Sequence, residues 1–132
     1  MTFALHPRLE ADTFFIADWP LCRVLLMNDA CYPWLILVPR RGGITELMDL
    51  AADDRILLTD EIARAGGIVR GRPGVTKVNV GALGNLVPQL HVHVLGRYPG
   101  DPAWPGPVWG HGQAVSYETS ARDALIAAVR SL

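Results

Sequence analysis

Gln89-Leu90-His91-Val92-His93-Val94-Leu95-Gly96-Arg97 is the stretch whose reading decides the fold. Two histidines stand two residues apart inside an apolar alternation. In an extended strand, successive side chains point to opposite faces. Gln89, His91 and His93 therefore share one face, and Leu90, Val92 and Val94 share the other. Same-face neighbours lie roughly 6–7 Å apart along a strand, so two imidazoles can meet around one phosphate, carbonyl or metal ion. A polar row beside a packed row predicts water or a ligand over the polar side.

Working outward, Val75 to Val80 alternates and reads as the strand preceding this one, joined through Gly81-Ala82-Leu83-Gly84-Asn85-Leu86-Val87-Pro88. Upstream, Asp53 to Arg70 is the best helix of the sequence. Asp53 and Asp54 lie at its start and Arg70 at its end, as the helix dipole favours. Leu58, Ile62, Ala65 and Val69 form one apolar stripe. Gly66 and Gly67 weaken its last turns by roughly 1 kcal/mol each relative to Ala, so a bend or stop is expected there. Thr45 is placed to cap a short helix through Leu50. Leu21 to Met27 and Trp34 to Val38 read as a hairpin with a turn around Asn28, Asp29 and Pro33. Residues 1–20 read as an irregular or short helical lead-in with a brief edge strand near Phe15. Tyr98 to Gly112 is dense in Pro and Gly and reads as a semi-rigid loop. Ala121, Leu125, Ala128 and Val129 predict a closing helix from about Glu118. The order hairpin, helix, hairpin, helix implies an α+β fold, an antiparallel sheet of about five strands with helices mainly on one face.

The 132 residues predict a single domain over 1–132, and half of them are apolar. The formal net charge is −1 and no basic block appears, so no nucleic-acid partner is expected. No apolar run approaches a membrane span, and Met1 to Pro7 lacks a secretory pattern. Cys22 and Cys31 have no metal or redox spacing, and they suit a reducing compartment. A cytoplasmic protein is the expectation.

Three uses of the histidine row compete. As metal ligands, His91 and His93 need a third donor, and only His111 or Asp101 on the loop offers one. As structural polar residues they need no partner. As a nucleophile, one neutral imidazole attacks phosphorus or a carbonyl carbon while its other nitrogen is fixed by an acceptor. The chain contains no Gly-x-Ser-x-Gly elbow and no P-loop.

Gln89-Leu-His91-Val-His93-Val-Leu resembles the histidine-triad (HIT) signature, His-φ-His-φ-His-φ-φ with φ apolar. The Leu21–Val38 hairpin, the long helix and Asn79 fall in the same order as in that family. Trp104-Pro-Gly-Pro is similar to the Trp-Pro-Pro-Gly tail of one branch. The resemblance implies a homodimer that acts on a small-molecule nucleotide at its α-phosphate, with dinucleoside polyphosphates or nucleoside phosphoramidates as substrates. It makes His91 the nucleophile that becomes nucleotidylated, and His93 the phosphate-binding and proton-handling partner. It puts Asn28 on the ribose, and Asn79 and Asn85 near the phosphate or leaving group. It requires no cofactor, with a divalent ion only as company for a polyphosphate.

The sequence departs from that pattern in three places. Gln89 stands at the first triad position, where it can hydrogen-bond but not titrate. Pro33-Trp34 replaces the Gly-His that enters the second strand of the hairpin. Leu86 replaces a loop hydroxyl beside the leaving group. A nucleotide-binding protein without turnover is therefore the alternative to an enzyme, and a metal site on His91 and His93 is the third reading. Arg97 shares the histidines' parity and is expected to be a solvated surface residue.

Overall fold

The computed structural model describes all residues, Met1–Leu132. Its elements are α1 (Pro7–Asp12), β1 (Thr13–Asp18), β2 (Cys22–Met27), β3 (Trp34–Pro39), α2 (Ala52–Arg70), β4 (Lys77–Gly81), β5 (Val92–Arg97) and α3 (Thr119–Arg130). The strands form one antiparallel sheet in the order β1-β2-β3-β5-β4. The expected α+β class and antiparallel sheet are therefore what the chain adopts. No helix is long and apolar enough to cross a membrane.

Period-2 patterning divides the sheet's two faces cleanly. Cys22, Val24 and Leu26 of β2, Leu35 and Leu37 of β3, and Val92 and Val94 of β5 point to one side. There they meet Leu58, Ala65, Ile68 and Val69 of α2 and Leu125 and Val129 of α3. Each fully buried Leu or Val contributes about 1.5–3 kcal/mol, and this cluster of 18 residues is the main core. The opposite face carries Leu25, Trp34, Ile36, Val38 and Leu95. It is covered by Leu9 of α1 and by Ala103 and Val108 of the Pro/Gly segment. His91 and His93 lie on that second side, beneath the irregular segments rather than beneath the long helices.

Four expectations change. Helix α2 runs unbroken through Gly66 and Gly67. The glycine penalty of about 1 kcal/mol apiece is outweighed by burial of Ala65, Ile68 and Val69 around them. The expected helix after Thr45 shrinks to one 3-10 turn, Leu47–Asp49, because the Asp49 carboxylate folds back to accept from the Glu46 N–H. The strand expected to start at Gln89 starts at Val92, since the Leu90 N–H donates sideways to the Ile44 carbonyl. Arg97 is 2% exposed rather than solvated. It forms a bidentate pair with Asp101, with N···O distances of 2.7 and 2.9 Å.

Helix α2 also carries a buried carboxylate that its apolar stripe does not reveal. Glu61 accepts from the backbone N–H groups of Leu21 and Cys22, each at 2.8 Å. Two charge-assisted bonds tie the start of β2 to the middle of the helix. His6 caps α1, its Nδ1 accepting from the Arg8 N–H at 3.0 Å, with Pro7 pre-set for the first helical position.

Candidate active site

His93 pairs with Ile36 of β3 on one side and with Gly81 of β4 on the other. This puts it in the interior of the sheet rather than at an edge. His91 immediately precedes β5. Their rings lie 5.0 Å apart at 67° to one another, tilted closer together than the roughly 6–7 Å repeat of same-face strand neighbours. Both are buried, at 7% and 8% exposure, yet both line one cavity of about 560 Å³. That volume is the size of small-molecule sites. Leu9 and Arg8 of α1, the Leu83–Val87 loop, Val108 to Gly112 and Asp29 complete its walls.

Each imidazole has one nitrogen engaged. The Nδ1 of His91 lies 2.7 Å from the Gln89 carbonyl oxygen. A carbonyl can only accept, so Nδ1 carries a proton and, in the neutral ring, Nε2 keeps the lone pair. The indole Nε1–H of Trp34 donates to Nδ1 of His93 at 3.0 Å. Trp34 pairs directly with Leu95, so it reaches His93 along the diagonal. Burial, and then the neighbouring His91, push the His93 pKa down from 6.5 to about 4. His93 is therefore a neutral group at physiological pH.

Of the residues singled out in the sequence, His91, His93, His111, Asn85, Trp34 and Leu86 come together on the cavity wall. Gln89 does not line it. Its side chain donates from Nε2 to the Ala4 carbonyl and accepts at Oε1 from the His6 N–H, 2.9 Å each. It thereby clamps the N-terminal segment that carries Arg8 and Leu9. Asn28 uses Oδ1 to accept from the Tyr117 N–H, and its neighbour Asp29 is the one at the cavity. Asn79 accepts from Arg97 Nη1 at 2.8 Å and belongs to the support of the Pro/Gly segment. Asp101 is held by Arg97, and no three His, Cys, Asp or Glu side chains gather as a metal site.

Sequence reasoning missed Trp109, whose ring lies 5.5 Å from that of His93 at 71°. Gly81 permits that approach, since a Cβ there would come within 2.9 Å of the indole. It also missed the N-terminal wall and the role of Trp34. Strand β3 is readable from its composition, but the β3–β5 register that sets Trp34 diagonal to His93 is not. Apart from histidines, the charged residues of the cavity are Arg8 against Asp12 and Asp29, one positive and two negative. Arg8 is already paired with Asp12 at 3.5 Å.

Comparison with known proteins bears directly on this geometry. Residues 8–100 match the family model described as HIT domain. A solved histidine triad protein from Bradyrhizobium japonicum superposes with a TM-score of 0.96 at 44% identity, over 99% of this chain and 98% of that one. One from Sinorhizobium meliloti gives 0.95 at 45% identity, over 98% and 96%. Another from Marinobacter aquaeolei gives 0.96 at 45% identity, over 99% and 96%. No curated protein matches the chain.

Proposed function

This chain belongs to the HIT-domain family, and from that we propose that it is a nucleotide hydrolase or nucleotidyl transferase acting through a covalent nucleotidyl-His91. The observation that carries this reading is the bond from His91 Nδ1 to the Gln89 carbonyl. It leaves Nε2 with its lone pair beside a cavity of nucleotide size. Nε2 attacks the α-phosphorus, the P–Nε2 bond forms, and the bond from phosphorus to the leaving group breaks. The leaving group takes a proton from solvent water. Water then attacks phosphorus and gives up a proton to solvent, Nε2 departs with its electron pair, and a nucleoside monophosphate is released. His93 holds the phosphate during both steps, and Asn85 is the amide placed for the leaving group. Asp29, next to Asn28, is the acceptor placed for ribose hydroxyls. Gln89 occupies the first triad position and contributes its backbone carbonyl rather than a titratable ring.

Within this reading a nucleoside phosphoramidate fits better than a dinucleoside polyphosphate. A polyphosphate brings several negative charges into a cavity whose own charged residues are Arg8, Asp12 and Asp29. A phosphoramidate brings about one, and its leaving amine is neutral or cationic. Exposed Leu83 and Leu86 on the wall suit an apolar leaving group. The resemblance also implies a homodimer, which sedimentation at the mass of one chain would remove. Incubation with adenosine phosphoramidate and with diadenosine polyphosphates tests the reaction. Turnover of the phosphoramidate, lost in His91→Ala, is expected. No turnover of either substrate, or an equally active variant, overturns it.

The structural use of the Gln89 side chain favours one alternative, a nucleotide-binding protein without turnover. Calorimetric binding of AMP with no product from any substrate selects that reading.

A further inference from the structure

We infer that Trp34 is a positioning residue that fixes His93 in the opposite tautomer from His91, so that the pair presents one lone pair and one N–H to the same phosphorus centre. The inference deepens the proposed nucleotide chemistry and rests on it for its catalytic meaning, but its structural content stands on two hydrogen bonds. Indole nitrogen is a donor only. Because Trp34 Nε1–H points at His93 Nδ1 over 3.0 Å in a buried setting, that nitrogen must be the acceptor. A neutral His93 then carries its proton on Nε2. At His91 the partner of Nδ1 is a carbonyl, 2.7 Å away, and the assignment reverses.

The consequence is a division of labour between rings 5.0 Å apart. His91 Nε2 offers electrons to phosphorus, and His93 Nε2–H offers a hydrogen bond to a phosphoryl oxygen or to the departing atom. If Trp34 did not hold Nδ1, His93 could turn its lone pair toward the phosphate oxygens. The donor would then be lost, and the lone pair would repel those oxygens. The low basicity of buried His93 keeps it from resolving the matter by binding a second proton. Trp34 also packs at 61° to His93, with ring centroids 5.6 Å apart. Trp34→Phe therefore keeps much of the aromatic packing while deleting the N–H.

Nitrogen-15 spectra of the imidazoles test this directly. In the wild-type protein, His93 should show a pyridine-like Nδ1 and a protonated Nε2, and His91 the reverse. A coupling across the hydrogen bond should join Trp34 Nε1 to His93 Nδ1. In Trp34→Phe, His93 should become a mixture of tautomers. The single-turnover rate of nucleotidyl-enzyme formation from adenosine phosphoramidate should fall about tenfold, with KM little changed. The same tautomer on both histidines, no coupling to Trp34, or unaltered His93 shifts in the variant overturns the assignment. An unchanged single-turnover rate overturns the positioning role. Should Trp34→Phe fail to fold, the wild-type coupling alone decides the assignment. A wild-type protein that turns over no substrate sinks the proposed reaction, while the nitrogen spectra still decide the tautomers.

Discussion

Trp34 and Arg97 illustrate what a residue's place in the sequence tells and what it withholds. Trp34 reads as the loss of a supporting histidine, yet its indole supplies the contact to His93. Arg97 has the parity of the histidine face and reads as solvated, yet it is among the most buried side chains of the molecule. The missing information is the partner in each case, and the partners sit 59 and 4 residues away across a register and a loop. His93 itself carries a prediction at this scale. Its folded pKa lies near 4 and its unfolded value near 6.5. Between those values the unfolded chain binds a proton that the folded chain refuses. Stability should therefore fall as pH drops through this window, and this contribution should be constant above it. The full loss is on the order of 3 kcal/mol. Urea denaturation across the window, on wild type and on His93→Gln, checks the assignment. A variant whose stability falls as steeply as the wild type's would place the effect elsewhere.

Among the elements, the Pro/Gly segment from Tyr98 to Gly112 is the one the sequence describes least. Turn residues identify it as irregular, and they say nothing of where it closes. The closure is made by Arg97 at the end of β5. Its guanidinium reaches Asp101 twice, Asn79 of β4 and the Gly106 carbonyl, and it lies 5.7 Å from the rings of both Tyr32 and Trp104. That hydrogen bonding holds the Asp101 carboxyl below its usual range. One arginine thus replaces the ladder that a strand would have provided, and it sets Trp109 against His93. Removing it leaves Asp101 buried without a counter-charge. Arg97→Met should cost about 3–5 kcal/mol, whereas the paired change Arg97→Met with Asp101→Leu should recover most of it. Denaturation midpoints of the two variants measure the difference. Equal destabilisation would mean that packing, rather than the stranded carboxylate, dominates. Helices α2 and α3 are far more legible, because their stripes are long and periodic and meet a continuous apolar face.

Across the whole molecule, legibility follows which side of the sheet a residue serves. The core beneath α2 and α3 is built from regular elements whose periods are written in the sequence, so the sheet and its helices can be read in advance. The second cluster, of 10 residues, is closed by α1, the N-terminal segment and the Pro/Gly segment. Its contacts depend on Gln89 gripping Ala4 and His6 and on Arg97 gripping Asp101. That is why the two histidines are legible in the sequence while half of their cavity is not. The same division predicts how a ligand is felt. The cavity borders the second cluster only, and its cover has few backbone ladders of its own, so local opening there should lie well below global unfolding. A nucleotide filling the cavity at about 100 times its Kd stabilises the ligand-competent state by about 2.7 kcal/mol. Hydrogen exchange with AMP should then slow most in the N-terminal segment, the Leu83–Val87 loop and residues 98–112. The amides of α2, protected by the main core, should change only as far as global stability does. Uniform slowing across α2 and the cover would show that the two sides open as one unit, and would remove the irregular cover as the ligand-responsive part of this fold.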